Sequence, residues 1–239
     1  MTTTGEVAID AARSHAAGFR DPTWLTRSLL TLLWIMVALD AAAVMSRGFE
    51  LMLLESLQQH SYTSIAAARA DALANDARQR VIGLLQIVLA IATGIAFFVW
   101  VYRANANARR LGAAEMKSSP GWAVGSFFVP IANLWMPYHA MKEIWQASAA
   151  PADWQNHRRG AILPWWWLFF LLSGIAGEVA FVMARSGHDM STLIAASTAA
   201  LIANATSVAS RLSTLVLVRQ IHRMQMWHAR SQSMLAALD

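Results

Sequence analysis

Residues 81–102, 118–141 and 190–210 each run without a single Asp, Glu, Lys or Arg. A bilayer crossing needs about 20 consecutive apolar residues, and each of these runs is long enough. A soluble domain is about 25% charged and does not leave such stretches bare. This chain is 14% charged and 56% hydrophobic, with eleven tryptophans among its 239 residues. The expected class is an all-α integral membrane protein.

Four spans are expected, at residues 25–45, 81–102, 163–183 and 190–218. They form one membrane domain, 25–218, between a polar N-terminal segment, 1–24, and a basic tail, 219–239. Ser28–Leu39 before Ala41-Ala42-Ala43 resembles the core and cleavage site of a signal peptide. The long lead-in containing Glu6, Asp10 and Asp21 favours an uncleaved first span. Residues 46–80 lack Gly and Pro apart from Gly48, and Ala66–Arg80 is rich in helix formers, so helical extensions of both neighbouring spans are expected there. Trp165-Trp166-Trp167 opens the third span and suits an aromatic belt at the membrane interface.

Residues 120–145 are the ambiguous stretch. With four spans and the N-terminus inside, 13 Lys and Arg fall in cytoplasmic segments and 5 in outer ones. A fifth span would spread them almost evenly, and cytoplasmic Lys/Arg excess sets orientation. A re-entrant or interfacial broken helix between spans two and three is therefore expected, with both termini cytoplasmic. Pro130, Asn133 and Pro137 fit this reading, because proline interrupts helix and frees backbone carbonyls that an asparagine can bond.

Residues 100–148 carry Arg103 and Asn107, then Ser119-Pro120-Gly121-Trp122, Val129-Pro130-Ile131-Ala132-Asn133-Leu134-Trp135, Pro137-Tyr138, and Glu143 with Trp145. This pattern resembles the bacterial membrane family known as domain of unknown function 4328, with a looser likeness over roughly residues 81–225. The resemblance implies a bacterial inner-membrane protein and no particular activity. Members often carry a proline-rich or zinc-ribbon extension before this region, and residues 1–24 are neither.

Charges within spans usually face protein and often mark function. Asp40, Glu178 and Arg211 are the ionisable residues in the expected spans, with Gln86 and Asn204 as polar companions. Asp40 and Glu178 each fall about 7.5 Å outward of their span centres at 1.5 Å per residue, level with Gln86. One polar layer including Ser197 or Thr198 is expected, serving a proton, cation or head-group site, or simple interhelical hydrogen bonding. Arg211 falls about 10 Å inward, so about 18 Å separates it from Asp40 and no ion pair is expected. Asn204, Ser207, Arg211 and Thr214 share one helix face as a polar stripe.

Arg103, Arg109, Arg110 and Lys117 gather positive charge within fifteen residues, opposed by Glu115. Beside a span such a cluster attracts anionic head groups, and Trp122, Trp135 and Trp145 suit the same depth. The leading expectation is a non-catalytic protein that binds lipid or a protein partner through this loop, or assembles with its own copies. The alternative is a solute or ion transporter using the polar layer. No nucleic-acid partner is expected, because the +5 net charge sits beside apolar segments. No cofactor or metal is expected either. There is no Cys, G-x-S-x-G or H-E-x-x-H, and His139 with Glu143 supplies only two ligands.

Overall fold

The computed structural model describes residues 18–59, 61–186 and 189–237. The polar segment expected over 1–24 lies mostly outside them. The chain is all-helical, with 84% helix and no strand among the described residues. Asp21 accepts the Thr23 amide at 2.8 Å and opens α1, Thr23–Gln58. Ser64 accepts the Ala67 amide at 3.2 Å and opens α2, Ile65–Arg110. The helical extensions expected over residues 46–80 are therefore present. Two long helices follow later, α5 (Ile162–Ser186) and α6 (Met190–Ala237). All four are long and apolar enough to cross a membrane.

Gly112 ends α2. At φ +106° it lets its own amide reach Arg109 O at 3.1 Å while the Ala113 amide reaches Ala108 O at 3.2 Å. These two bonds satisfy carbonyls that the helix end would otherwise leave bare. The expected broken segment then unfolds in pieces. Ser119 caps α3 (Pro120–Gly125) by accepting the Trp122 amide at 3.2 Å, with Pro120 at the start where its missing N–H costs nothing. A 3-10 turn, Ala132–Leu134, precedes α4, Met136–Ala149, and Pro137 lies in the first turn of α4. Neither α3, with 6 residues, nor α4, with 14, is long enough to span.

Between them, Ile131 has φ 67° and ψ −52°, and the Ala132 amide bonds Pro130 O at 2.7 Å. This is a γ-turn at positive φ. A β-branched residue there costs about 1–3 kcal/mol.

The chain divides into two compact units. One draws on Met1–Leu30, Gly94–Pro164 and Leu215–Asp239, the other on Thr31–Thr93 and Trp165–Thr214. The first unit buries Leu29, Trp100, Met141, Ile144, Leu163, Leu217 and Ile221. Gln225 of α6 is buried there and donates to Ala104 O at 2.8 Å and Ser148 Oγ at 2.9 Å, tying α2, α4 and α6 together. Phe98 packs on Phe127 and Phe128, with ring centroids at 5.3 and 4.9 Å, and pins the turn after α3 to α2. In the second unit, Leu33, Met36, Ala43 and Ala196 are buried, while Val81, Leu84, Ile87, Val88 and Ile91 are all more than half exposed. Such an apolar wall suits acyl chains and not water.

Candidate functional site

The second unit holds an intramembrane polar network. Asp40 of α1 is 1% exposed; Gln86 Nε2 of α2 donates to its Oδ1 at 3.0 Å, and Arg211 Nη1 of α6 donates to its Oδ2. Gln86 Nε2 also donates to Asn204 Oδ1 at 2.8 Å. Thr214, at the end of the expected stripe, accepts Trp166 Nε1 at 3.1 Å.

Against expectation, Arg211 pairs with Asp40, because α1 and α6 run well beyond the expected spans and the span midpoints do not mark equal depth. Glu178 stays out of the expected layer. It is exposed, with no hydrogen bond or ion pair among the described residues, since it lies on an outward face of α5 beside Ile175 and Val179. Thr198 likewise turns to its own helix, donating to Ile194 O at 2.8 Å, and Ser197 is buried outside the network. The tryptophan triplet is no simple interfacial belt, because Trp166 and Trp167 are buried and Trp165 alone is exposed.

A second cluster in this unit was invisible to the span reading. Glu50 of α1 accepts Arg47 at 2.5 Å, Gln79 at 3.1 Å and Asn75 at 3.4 Å. Arg78 donates to Ser46 Oγ at 2.9 Å and to Asn75 Oδ1 at 2.6 Å. These bonds zip α1 to α2 and leave the charged groups well occupied.

In the first unit, the loop after α2 is bolted down by residues from the family-like pattern. Asn107 takes the Arg20 backbone in both directions, donating to its O at 2.9 Å and accepting its N at 3.3 Å. Arg109 donates to Asn105 Oδ1 at 3.1 Å and to Met116 O and Ser118 O, both at 2.8 Å. Glu143 accepts the Ser118 amide at 2.9 Å. Arg109 is thus a fastener of residues 116–118, which corrects its place in the head-group cluster. Arg103 and Arg110 are half-buried, and the Arg110 stem packs near Gly18. Asn133 makes no side-chain hydrogen bond among the described residues, so it does not bond freed carbonyls; its own amide donates to Val129 O at 2.9 Å. Pro130 and Gly121 are exposed, and Trp145 donates to Gln220 Oε1 at 3.3 Å.

These fastenings shape a cleft of about 610 Å³. Trp122 of α3 and Trp135 line it, each 46% exposed, with Trp154 buried and donating to Ala114 O at 2.8 Å. Lys117, Lys142 and His139 line it as well and form no ion pair among the described residues. One carboxylate, that of Glu143, faces it and is engaged by Ser118. Lys142, Gln146 and Trp154 were not singled out by the sequence pattern; Lys142 lies beside Glu143 and repeats the basic character of Lys117. A mixed wall of indoles and cations of this volume suits a ligand with an apolar part and a negative charge. In the segment leading to Trp135, Phe128, Ile131 and Leu134 are all more than half exposed, so this turn presents an apolar tip by composition.

The family described as domain of unknown function (DUF4328) matches residues 63–223, which takes in the cleft's loop and most of the polar network. No curated protein and no solved structure matches the chain.

Proposed function

The chain belongs to the family described as domain of unknown function (DUF4328), and from that starting point we propose a non-catalytic, multi-pass protein of a bacterial inner membrane that binds anionic lipid head groups in the tryptophan- and lysine-lined cleft. The observation that carries this reading is the convergence of Trp122, Trp135, Lys117 and Lys142 on one cavity. The neighbouring apolar tip at Phe128–Leu134 supports it, since a lipid's upper acyl chain can follow its head group there. Brominated phosphatidylglycerol added to the protein in detergent should quench indole fluorescence, and W122F/W135F should remove that component. K117Q/K142Q should weaken the quenching titration about tenfold. A titration unchanged in K117Q/K142Q would overturn the reading.

In this proposal the cleft and both termini face the cytoplasm, as the 13-to-5 division of Lys and Arg favours. Reporter fusions after Asp239 and within residues 103–117 then read cytoplasmic, and one within 60–75 reads external. An external C-terminus sinks this orientation.

The Asp40–Arg211 pair favours a second reading, solute or ion transport, because buried charges in spans often line ion pathways. That reading expects D40N to abolish flux into proteoliposomes while leaving cleft binding intact.

A further inference from the structure

The first unit has a second cavity, about 480 Å³, into which Trp145 of α4 faces. Arg158 and Arg159 reach it from the linker before α5, and Arg223 reaches it from α6. No carboxylate lines it. Arg159 spends one donor on Tyr138 Oη at 2.7 Å, and Arg158 and Arg223 make no hydrogen bond or ion pair among the described residues. Three arginines lining one cavity with no carboxylate among them make its potential positive, which favours an anion there.

The cavity wall is built closely. The Trp145 ring lies over Gly160 and stacks on His157 at 5.8 Å, and its Nε1 reaches Gln220. A side chain at residue 160 would push the ring out of this wall. Immediately beyond Gly160 begins α5, one of the four helices able to cross the membrane. An anion held by Arg158 and Arg159 therefore sits where a membrane-crossing helix meets the head-group layer. Guanidinium forks match phosphate oxygens in pairs, and three of them exceed what a single phosphodiester neutralises.

We propose that the Arg158, Arg159 and Arg223 cavity binds a dianionic phospholipid, one with two phosphodiesters bridged by glycerol. This site is separate from the tryptophan cleft and does not depend on that cleft binding anything.

The test uses the full chain in detergent micelles, with bound lipid counted by native mass spectrometry. The probes are a cardiolipin-type lipid, phosphatidylglycerol and phosphatidylcholine. The dianionic lipid should bind about tenfold tighter than phosphatidylglycerol, and phosphatidylcholine should be stripped first. R158Q/R159Q/R223Q should lose the dianionic preference, while K117Q/K142Q should keep it. R223Q alone, at an exposed position outside the buried core, guards against misfolding of the triple variant and should weaken binding about fivefold. Wild-type affinity in both arginine variants would overturn the proposal. Equal affinity for phosphatidylglycerol would overturn the dianionic assignment, and displacement by millimolar inorganic phosphate would mark a soluble-anion site instead. Loss of binding in K117Q/K142Q with retention in the arginine variants would place the lipid in the cleft and also overturn the proposal.

Discussion

The Trp145 indole covers Gly160 so closely that a Cβ there would lie 2.5 Å from Cε2 and 2.7 Å from Nε1. The ring cannot yield easily, since His157 stacks on it and Gln220 holds its nitrogen. Gly160→Ala should destabilise the first unit by about 1–3 kcal/mol, the range for overpacking. Trp145→Leu in the same chain should recover part of that loss. Thermal unfolding in detergent checks both, and a neutral G160A would mean that the ring moves freely.

Asp40 and Arg211 make a different kind of pair. Removing one partner leaves a buried charge without its complement, at a cost of about 3–5 kcal/mol. D40A and R211A should therefore each destabilise the second unit strongly, and D40A/R211A should be far milder than the sum of the two. Strictly additive losses in this cycle would mean that the ions do not interact.

Arg109 and Arg110 are adjacent, yet only Arg109 should matter to the loop when neutralised. Arg109→Gln removes donors from Met116 O and Ser118 O, so hydrogen exchange at Lys117 and Ser118 should accelerate at least tenfold. Arg110→Gln, where the stem merely packs near Gly18, should leave that exchange unchanged. Equal effects would remove Arg109 from its fastening role.

The start of α6 is set by Asp189, whose carboxylate accepts the Ser191 and Thr192 hydroxyls and is held down to about 2 by those bonds. A carboxylate lowered on folding adds stability that is fully present above its ordinary value near 3.8. That stability disappears as pH falls through about 2. Carboxyl NMR titration should therefore give Asp189 a midpoint near 2, and Ser191→Ala with Thr192→Val should raise it. A wild-type midpoint near the ordinary value would mean that no cap forms.

The charge-free runs at 81–102 and 190–210 made two of the crossing helices legible, apolar composition around a lone acid marked the other two, and the prolines at 130 and 137 made the interruption legible. What the sequence could not supply was direction around a helix. Glu178 sits at a plausible depth and faces away from the network, a matter of rotation that span counting does not contain. Depth itself failed for Arg211, because helices of 36 and 48 residues extend past any apolar window, and a window's centre is not the helix's place in the membrane. Charge counting treated Arg109 and Arg158 alike, although one guanidinium is spent on carbonyls and the other faces a cavity. Glycine at 160 carried no signal in a loop until the ring above it was placed.

The Asp40–Arg211 pair also sets the order of manufacture. Asp40 leaves the ribosome 171 residues before the arginine that completes it. Through that interval α1 sits in the bilayer with a carboxyl that Gln86 can reach once α2 has inserted. A chain stopped after α5 is then a membrane protein with an unmet acid in its interior, which is the kind of flaw that membrane proteases find. Completion of α6 hides it. α6 is therefore the helix that certifies α1, and truncation before Arg211 should shorten the protein's lifetime in the cell far more than truncation after residue 218.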